Sequence, residues 1–128
     1  LVAGDNNSYS RVGGVVFGIR NVINRGYANV SGGSDNIASG LNSSVSGGSV
    51  NTASGLDSSV SGGWTNTASG GGSSVSGGNN NAASGSYSSV SGGGGNIASG
   101  GRSTISGGEN RTVTGISDWQ AGSLFEDL

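Results

Sequence analysis

The stretch Val-Ser-Gly-Gly-Ser-Asp-Asn-Ile-Ala-Ser-Gly-Leu-Asn-Ser-Ser occupies residues 30–44, and its pattern returns along most of the chain. A short fixed period means that each unit is one supersecondary piece, which buries its apolar atoms only against its neighbours. The sequence therefore predicts a solenoid in which each repeat is one coil. The pattern starts again every fifteen residues, without insertion or deletion, at Val45, Val60, Val75, Val90 and Ile105.

Polar and apolar residues alternate around each repeated valine and alanine. Val45 stands between Ser44 and Ser46, and Ala53 alternates with its neighbours in the same way. Because successive side chains of a strand point to opposite faces, the valine and alanine side is expected to be the inside. The recurrent glycines are expected to supply the positive φ angles of tight turns. The predicted fold is all-β: a parallel β-solenoid, or β-roll, of 15-residue coils with two short strands per coil and about six to eight rungs.

The two ends of the chain depart from the repeat. We interpret residues 1–14 as an N-terminal cap, residues 15–119 as the β-roll, and residues 120–128 as a C-terminal cap or the start of a following segment. In the first coil Val15 lies fifteen residues before Val30, while Phe17 and Ile23 replace small residues of later coils. Bulkier side chains are what a terminal coil needs to close its core.

The far end of the roll carries the remaining large apolar residues. Trp119, Leu124 and Phe125 follow the last regular repeat. We expect them to close the roll, or alternatively to dock onto a following domain. The chain begins with Leu1 and shows no signal-peptide pattern, so we expect a processed product or part of a longer protein.

Composition argues against several classes of function. The 128 residues include 29 glycines but no Cys or His, which removes the usual ligands of zinc and copper. The net charge is −2 and no basic stripe exists, so we expect no nucleic-acid partner. The longest apolar run, at residues 15–17, is too short to span a membrane. We therefore expect no cofactor, no metal and no catalytic residue: the protein is predicted not to be an enzyme.

A row of asparagines recurs at the same period on the inside of the coil. A buried amide is costly unless it is hydrogen-bonded. With rungs about 4.8 Å apart, each amide could bond the next amide or hold the backbone of a turn. We predict a structural ladder and not a metal site, because no carboxylate joins the row. Its members are Asn21, Asn36, Asn51, Asn66, Asn81 and Asn96.

Two outward faces and two edges are the candidate functional surfaces. A flat, uncharged array of hydroxyl groups is formed by Ser44, Ser46, Ser59, Ser61, Ser74, Ser76, Ser89 and Ser91. A more apolar row on the other strand is the candidate self-association face, with simple exposure as the alternative; it contains Ile37, Thr52, Thr67, Ala82, Ile97 and Thr112. Trp64 and Tyr87 lie among variable turn residues at the edges and are candidates for recognition, unless those turns simply tolerate variation.

The run Ser-Val-Ser-Gly-Gly-Ser-Val-Asn-Thr-Ala-Ser-Gly at residues 44–55 resembles the head repeats of the YadA-like trimeric autotransporter adhesins. The resemblance extends over about residues 15–115. It implies a left-handed parallel β-roll, three chains side by side, an extracellular or cell-surface location, and a host-surface or matrix ligand.

The same repeat pattern is also similar to that of ice-binding β-rolls, which present a flat outward array of hydroxyl groups. That resemblance implies ice as the partner of the serine array. A fibre-forming surface protein is a further alternative, because the open ends of a solenoid expose unpaired strands. The reading we favour is a non-enzymatic extracellular structural or adhesive β-roll that forms a homotrimer.

Overall fold

The chain winds into a parallel β-solenoid. The computed structural model describes residues 1–122, and these residues contain no helix. Within residues 1–122, seventeen short strands form two facing parallel sheets, and the second strand of each turn crosses to the opposite sheet. The structure makes about eight turns of about fifteen residues, with two short strands in each. The fold class predicted from the repeat is confirmed.

The strands are numbered in chain order, and odd and even numbers fall in different sheets. The serine sheet contains β1 (Val2–Asp5), β3 (Val15–Ile19), β5 (Asn29–Val30), β7 (Ser44–Val45), β9 (Ser59–Val60), β11 (Ser74–Val75), β13 (Ser89–Val90), β15 (Thr104–Ile105) and β17 (Trp119–Gln120). The threonine sheet contains β2 (Ser8–Tyr9), β4 (Val22–Ile23), β6 (Ile37–Ala38), β8 (Thr52–Ala53), β10 (Thr67–Ala68), β12 (Ala82–Ala83), β14 (Ile97–Ala98) and β16 (Thr112–Val113).

The core is a narrow seam of small side chains between the two sheets. The repeated valines from Val45 to Val90 are at most 1% exposed, and the alanines opposite them are fully buried. Ile23 and Ile105 occupy the same seam near its two ends. The inside-outside assignment made from the alternation is therefore correct.

The first turns are one residue shorter than the repeat, which corrects the predicted register. β3 pairs Val16, not Val15, with Val30, at a spacing of fourteen residues. Val16 is fully buried, whereas Phe17 points outward and does not close the core. The cause is a shorter segment after the strand. One residue separates Val16 from Gly18, while two residues separate the later valines from the matching glycines.

Residues 1–14 form a turn of the same solenoid. β1 pairs with β3 over four residues, and β2 pairs with β4. The backbone N–H of Arg20 also donates to the Asp5 carbonyl at 2.9 Å. The segment expected as a cap therefore continues both parallel sheets toward the N-terminus.

At the other end, Trp119 lies on an outer face. It pairs with Thr104 in the outward row of the serine sheet, and its indole N–H donates to Ser106 Oγ at 2.8 Å. The carboxylate of Asp118, by contrast, packs against Gly115 at the end of the seam. Leu124 and Phe125, the other residues expected to close the roll, lie outside the described residues.

Each full turn has two corners in the left-handed region, and most of the corner residues are not glycine. Their φ angles lie between 53° and 66°. A β-branched side chain is strained there, as at Val50. The first corner is formed by Arg20, Asp35, Val50, Thr65, Asn80, Gly95 and Asn110, and the second by Tyr27, Asn42, Asp57, Gly72, Tyr87, Arg102 and Ser117.

The prediction that the recurrent glycines supply positive φ angles is correct for the series that contains Gly48 and wrong for the series that contains Gly70. Gly48 adopts a φ of 79° beside the buried amide of Asn51. Gly70 has no positive φ but is fully enclosed, and a Cβ there would collide with the backbone carbonyl of Gly85 in the next turn. The second series of glycines is therefore needed for close approach between turns.

A third row of parallel contacts runs along one edge. Single-residue bridges connect Ile19, Ser34, Ser49, Trp64, Asn79, Gly94 and Glu109 in successive turns. We call this side, with the first corner beside it, the bridge edge. The opposite side carries the second corner and the residues just before it, including Leu41 and Leu56, and we call it the leucine edge.

Candidate functional site

The buried asparagines form a continuous ladder between the sheets and the bridge edge. Asn66 shows the pattern: its Oδ1 accepts the backbone N–H of Asn81 at 3.0 Å. Its Nδ2 donates to the carbonyls of Gly62 and Gly78, both at 2.9 Å. The amides thus hold turn backbone and do not bond one another, which decides between the two arrangements that the sequence left open. All six predicted members are at most 1% exposed.

The ladder begins one turn before the predicted row. Asn7 accepts the backbone N–H of Asn21 at 2.9 Å and donates to the carbonyls of Ala3 and Gly18, each at 2.8 Å. Sequence reasoning missed Asn7 because it lies fourteen residues before Asn21, off the fifteen-residue period. The same pattern of bonds therefore stabilises the turn at residues 1–14.

Arg111 terminates the ladder. Its backbone N–H donates to Asn96 Oδ1 at 3.0 Å, as an asparagine would in the middle of the roll. Its side chain packs against Gly108, on the side where the equivalent glycines of earlier turns meet the backbone of the following turn. A charged residue at this position marks the last rung of the regular pattern.

The serine face is flat and uncharged in its middle. Its inner row is half-buried, its outer row is exposed, and neighbouring strands pair in register. Ser89 donates to Thr104 at 3.1 Å, so hydroxyl groups of adjacent turns lie within hydrogen-bonding distance. The predicted residues lie together on this face: Ser44, Ser59, Ser74 and Ser89 in the inner row, and Ser46, Ser61, Ser76 and Ser91 in the outer row.

The threonine sheet presents a different surface. Its outward row is in register over seven turns, and every side chain in it carries at least one methyl group; we call it the methyl ridge. Ile37 is 36% exposed and Ile97 is 41% exposed. The ridge consists of Val22, Ile37, Thr52, Thr67, Ala82, Ile97 and Thr112. Val22 extends the row that the sequence predicted, because it pairs with Ile37 at the regular spacing of fifteen residues.

The two edge aromatics are on opposite sides of the roll. Trp64 is 57% exposed on the bridge edge, and Tyr87 is 69% exposed on the leucine edge. The structure therefore does not bring them into one site. The leucine edge also carries five other exposed apolar side chains, namely Val12, Tyr27, Leu41, Leu56 and Ile116.

The two edges also differ in charge. On the bridge edge Arg20 forms two hydrogen bonds of 2.7 Å with the carboxylate of Asp35. The same row of paired positions holds Asp5 at its start and Glu109 six turns after Ile19. The hydrogen bond from Arg20 lowers the pKa of Asp35 below its usual value. Asp35 therefore stabilises the fold above its ordinary pKa, and this small, solvent-screened contribution is lost as the pH falls through the lowered value.

The leucine edge has the opposite balance. Its charged residues are Arg11, Arg25 and Arg102 against Asp57. Asp57 accepts a hydrogen bond from the Asn42 amide at 2.9 Å. In a chain with a net charge of −2, this edge is the cationic part of the surface.

Residues 1–122 lack two further structural features. No group of three or more His, Cys, Asp or Glu side chains there is placed to hold a metal ion. That part of the chain also lacks a helix long and apolar enough to cross a membrane. No protein-family model matches the chain, and no curated protein matches it.

Proposed function

We propose that the chain is a non-enzymatic, extracellular structural or adhesive β-roll that assembles into a homotrimer through the methyl ridge. The observation that carries this proposal is the contrast between the two broad faces. The serine face exposes hydroxyl groups, which water solvates well. The threonine face exposes an unbroken line of methyl groups that includes Ile37 and Ile97.

The dimensions of the ridge suit an interface between parallel chains. Seven turns at about 4.8 Å each give a straight apolar line roughly 30 Å long. Contiguous exposed apolar surface commonly marks a contact with another protein. Closed rotational symmetry would place three identical ridges around one axis. The exposed serines beside the ridge, such as Ser69 and Ser84, would hydrogen-bond around the apolar centre.

In this arrangement the serine face and both edges remain accessible. They are the surfaces proposed to contact a host-surface or matrix ligand, with Trp64 and Tyr87 as separate exposed aromatic contacts. The left-handed winding and the cell-surface location belong to the same proposal, and both come from the resemblance of the repeat to trimeric adhesin heads.

Charge placed on the ridge should break the trimer. The variant Ile37→Asp with Ile97→Asp puts two carboxylates per chain near the proposed axis, where desolvation and like-charge repulsion oppose association. We expect light scattering to show the mass falling from a trimer to a monomer.

The matched control is Ser46→Asp with Ser91→Asp, which adds the same charge to the exposed outer row of the serine face. This control should keep the trimeric mass. If both double variants keep the mass of the unmodified chain, the interface lies elsewhere.

Ice binding is the second candidate, and the register of the serine face favours it. Two parallel lines of hydroxyl groups repeat at the spacing of the turns. One line passes through Ser59 and Ser74, and the other passes through Ser61 and Ser76. We would measure thermal hysteresis and ice-crystal shaping on the purified protein. Activity that disappears when Ser61→Tyr and Ser76→Tyr are introduced would support this candidate, and no activity at high protein concentration would eliminate it.

A further inference from the structure

We infer that the N-terminal half of the leucine edge is a binding groove for an acidic saccharide. The groove has a volume of about 480 Å³, within the usual range of small-molecule sites, roughly 300–1,000 Å³. This inference deepens the adhesive part of the proposed function by naming a ligand class, and it does not depend on the trimer. The side chains that line it and could contact a ligand are those of Arg11, Arg25, Ser39, Leu41, Ser54 and Leu56.

The cationic end of the groove is made by two arginines in adjacent turns. Arg11 and Arg25 are fourteen residues apart, the spacing that separates paired positions in these first turns, and so lie about one rung apart. Neither has an ion-pair partner among residues 1–122, unlike Arg20 on the bridge edge. Two neighbouring guanidinium groups repel each other, and a carboxylate or sulfate bridging them would relieve that repulsion through charge-assisted hydrogen bonds.

The other end of the groove is apolar. Leu41 and Leu56 project from consecutive turns, and they are 46% and 52% exposed. Ser39 and Ser54 line the groove beside them. A wall of leucines next to a line of hydroxyl groups matches a ligand that has an apolar face and several hydroxyl groups of its own, which describes a sugar ring.

A second hollow meets the first at the same two arginines. It is polar and is lined by Ser10, Arg11, Asn24, Arg25 and Ser39. The arginines therefore stand between an apolar hollow and a polar hollow, so a bound anion would be contacted on both sides. This continuity favours a ligand of more than one ring, with its acidic group at the arginines and its apolar face against the leucines.

The direct test uses the full chain and a disaccharide that carries one uronic carboxylate and one sulfate monoester. Binding would be followed by NMR from the arginine Nε–H and leucine methyl signals. We expect saturable shifts at both groups and at least a tenfold loss of affinity in Arg11→Gln with Arg25→Gln. We also expect a several-fold loss in Leu41→Ser with Leu56→Ser. The variant Arg102→Gln is the matched control, because that arginine lies on the same edge outside the groove, and it should bind normally.

Further probes separate the remaining outcomes. Disaccharides lacking the sulfate or the carboxylate identify which acid is bound, and a neutral disaccharide should not bind. If inorganic sulfate binds as tightly as the disaccharide and the leucine variant changes nothing, the groove holds only a nonspecific anion and the inference is wrong. The absence of any shift would also overturn it.

Light scattering on the same samples distinguishes this inference from the proposed assembly. If the protein is a monomer that binds the saccharide, the groove is supported and the proposed trimer is wrong. If it is a trimer that does not bind the saccharide, the proposed assembly is supported and the groove is wrong. If the arginine variant changes the mass of the protein, the arginines contact a neighbouring copy and the saccharide site is overturned.

Discussion

Val75→Asp is expected to unfold the roll or to lower its free energy of unfolding by about 4 kcal/mol or more. Val75 is 1% exposed and pairs in register with Val60 and Val90 in the neighbouring turns. A carboxylate there would face the alanines of the opposite sheet, in a seam whose apolar side chains are buried from water. Thermal and urea unfolding followed by circular dichroism would measure the loss.

Ser74→Asp is the control for this substitution. Ser74 is adjacent in the chain but points outward in the half-buried row of the serine face. Its carboxylate remains hydrated, so we expect a change of no more than about 1 kcal/mol. Equal stabilities of the two variants would contradict the assignment of inside and outside.

Asn66→Ala is expected to cost about 2–5 kcal/mol, because it interrupts the buried ladder in the middle of the roll. Two backbone groups would lose the bonds that Asn66 gives them: the Asn81 N–H and the Gly62 carbonyl. The carbonyl of Gly78 would keep a bond from the Trp64 N–H at 2.9 Å. The Asn81 N–H is buried, so water cannot readily replace the amide there, whereas the half-buried Gly62 carbonyl loses less. The loss would be measured as the shift in the urea unfolding midpoint.

The matched control is Asn79→Ala. Asn79 is exposed on the bridge edge, and it takes part in the third row of contacts through its backbone and not its side chain. We therefore expect its loss to change stability by less than about 0.5 kcal/mol. Hydrogen exchange gives a second measurement, since Asn66→Ala should increase exchange at the Asn81 N–H in particular. A ladder variant as stable and as well protected as the control would show that the amides contribute little.

The regular middle of the roll could be predicted because two sequence signals agree there. Period fifteen gives the length of a turn, and the alternation around Val45 and Ala53 gives the orientation of each strand. The row of asparagines could be placed inside for the same reason. Its bonding could not be predicted, because amide-to-amide and amide-to-backbone contacts require the same spacing.

The first turns could not be predicted, because the sequence there is ambiguous. Val15 and Val16 are both valines, so hydrophobicity does not indicate which of them enters the core. The single residue between Val16 and Gly18 places Val16 in the core. The same spacing of fourteen residues brings Asn7 into the ladder below Asn21. A fixed period of fifteen conceals both facts.

The corners and the edges depend on backbone geometry that residue types do not reveal. Val50 occupies a left-handed position that glycine or asparagine would fill with less strain. The bridge at Trp64 depends on one residue per turn, too few for any alternation to form. Trp64 lies four residues after Val60 and Tyr87 twelve residues after Val75, so their places in the repeat, unlike their residue types, already assign them to different edges.

The most direct test of the proposed assembly is the molar mass of the unmodified chain at micromolar concentration, measured by sedimentation equilibrium over a dilution series. The account predicts a stable species with three times the 12.2 kDa of one chain. A mass that continues to grow with concentration would indicate end-to-end fibres instead. A single chain mass at every concentration would contradict association through the methyl ridge.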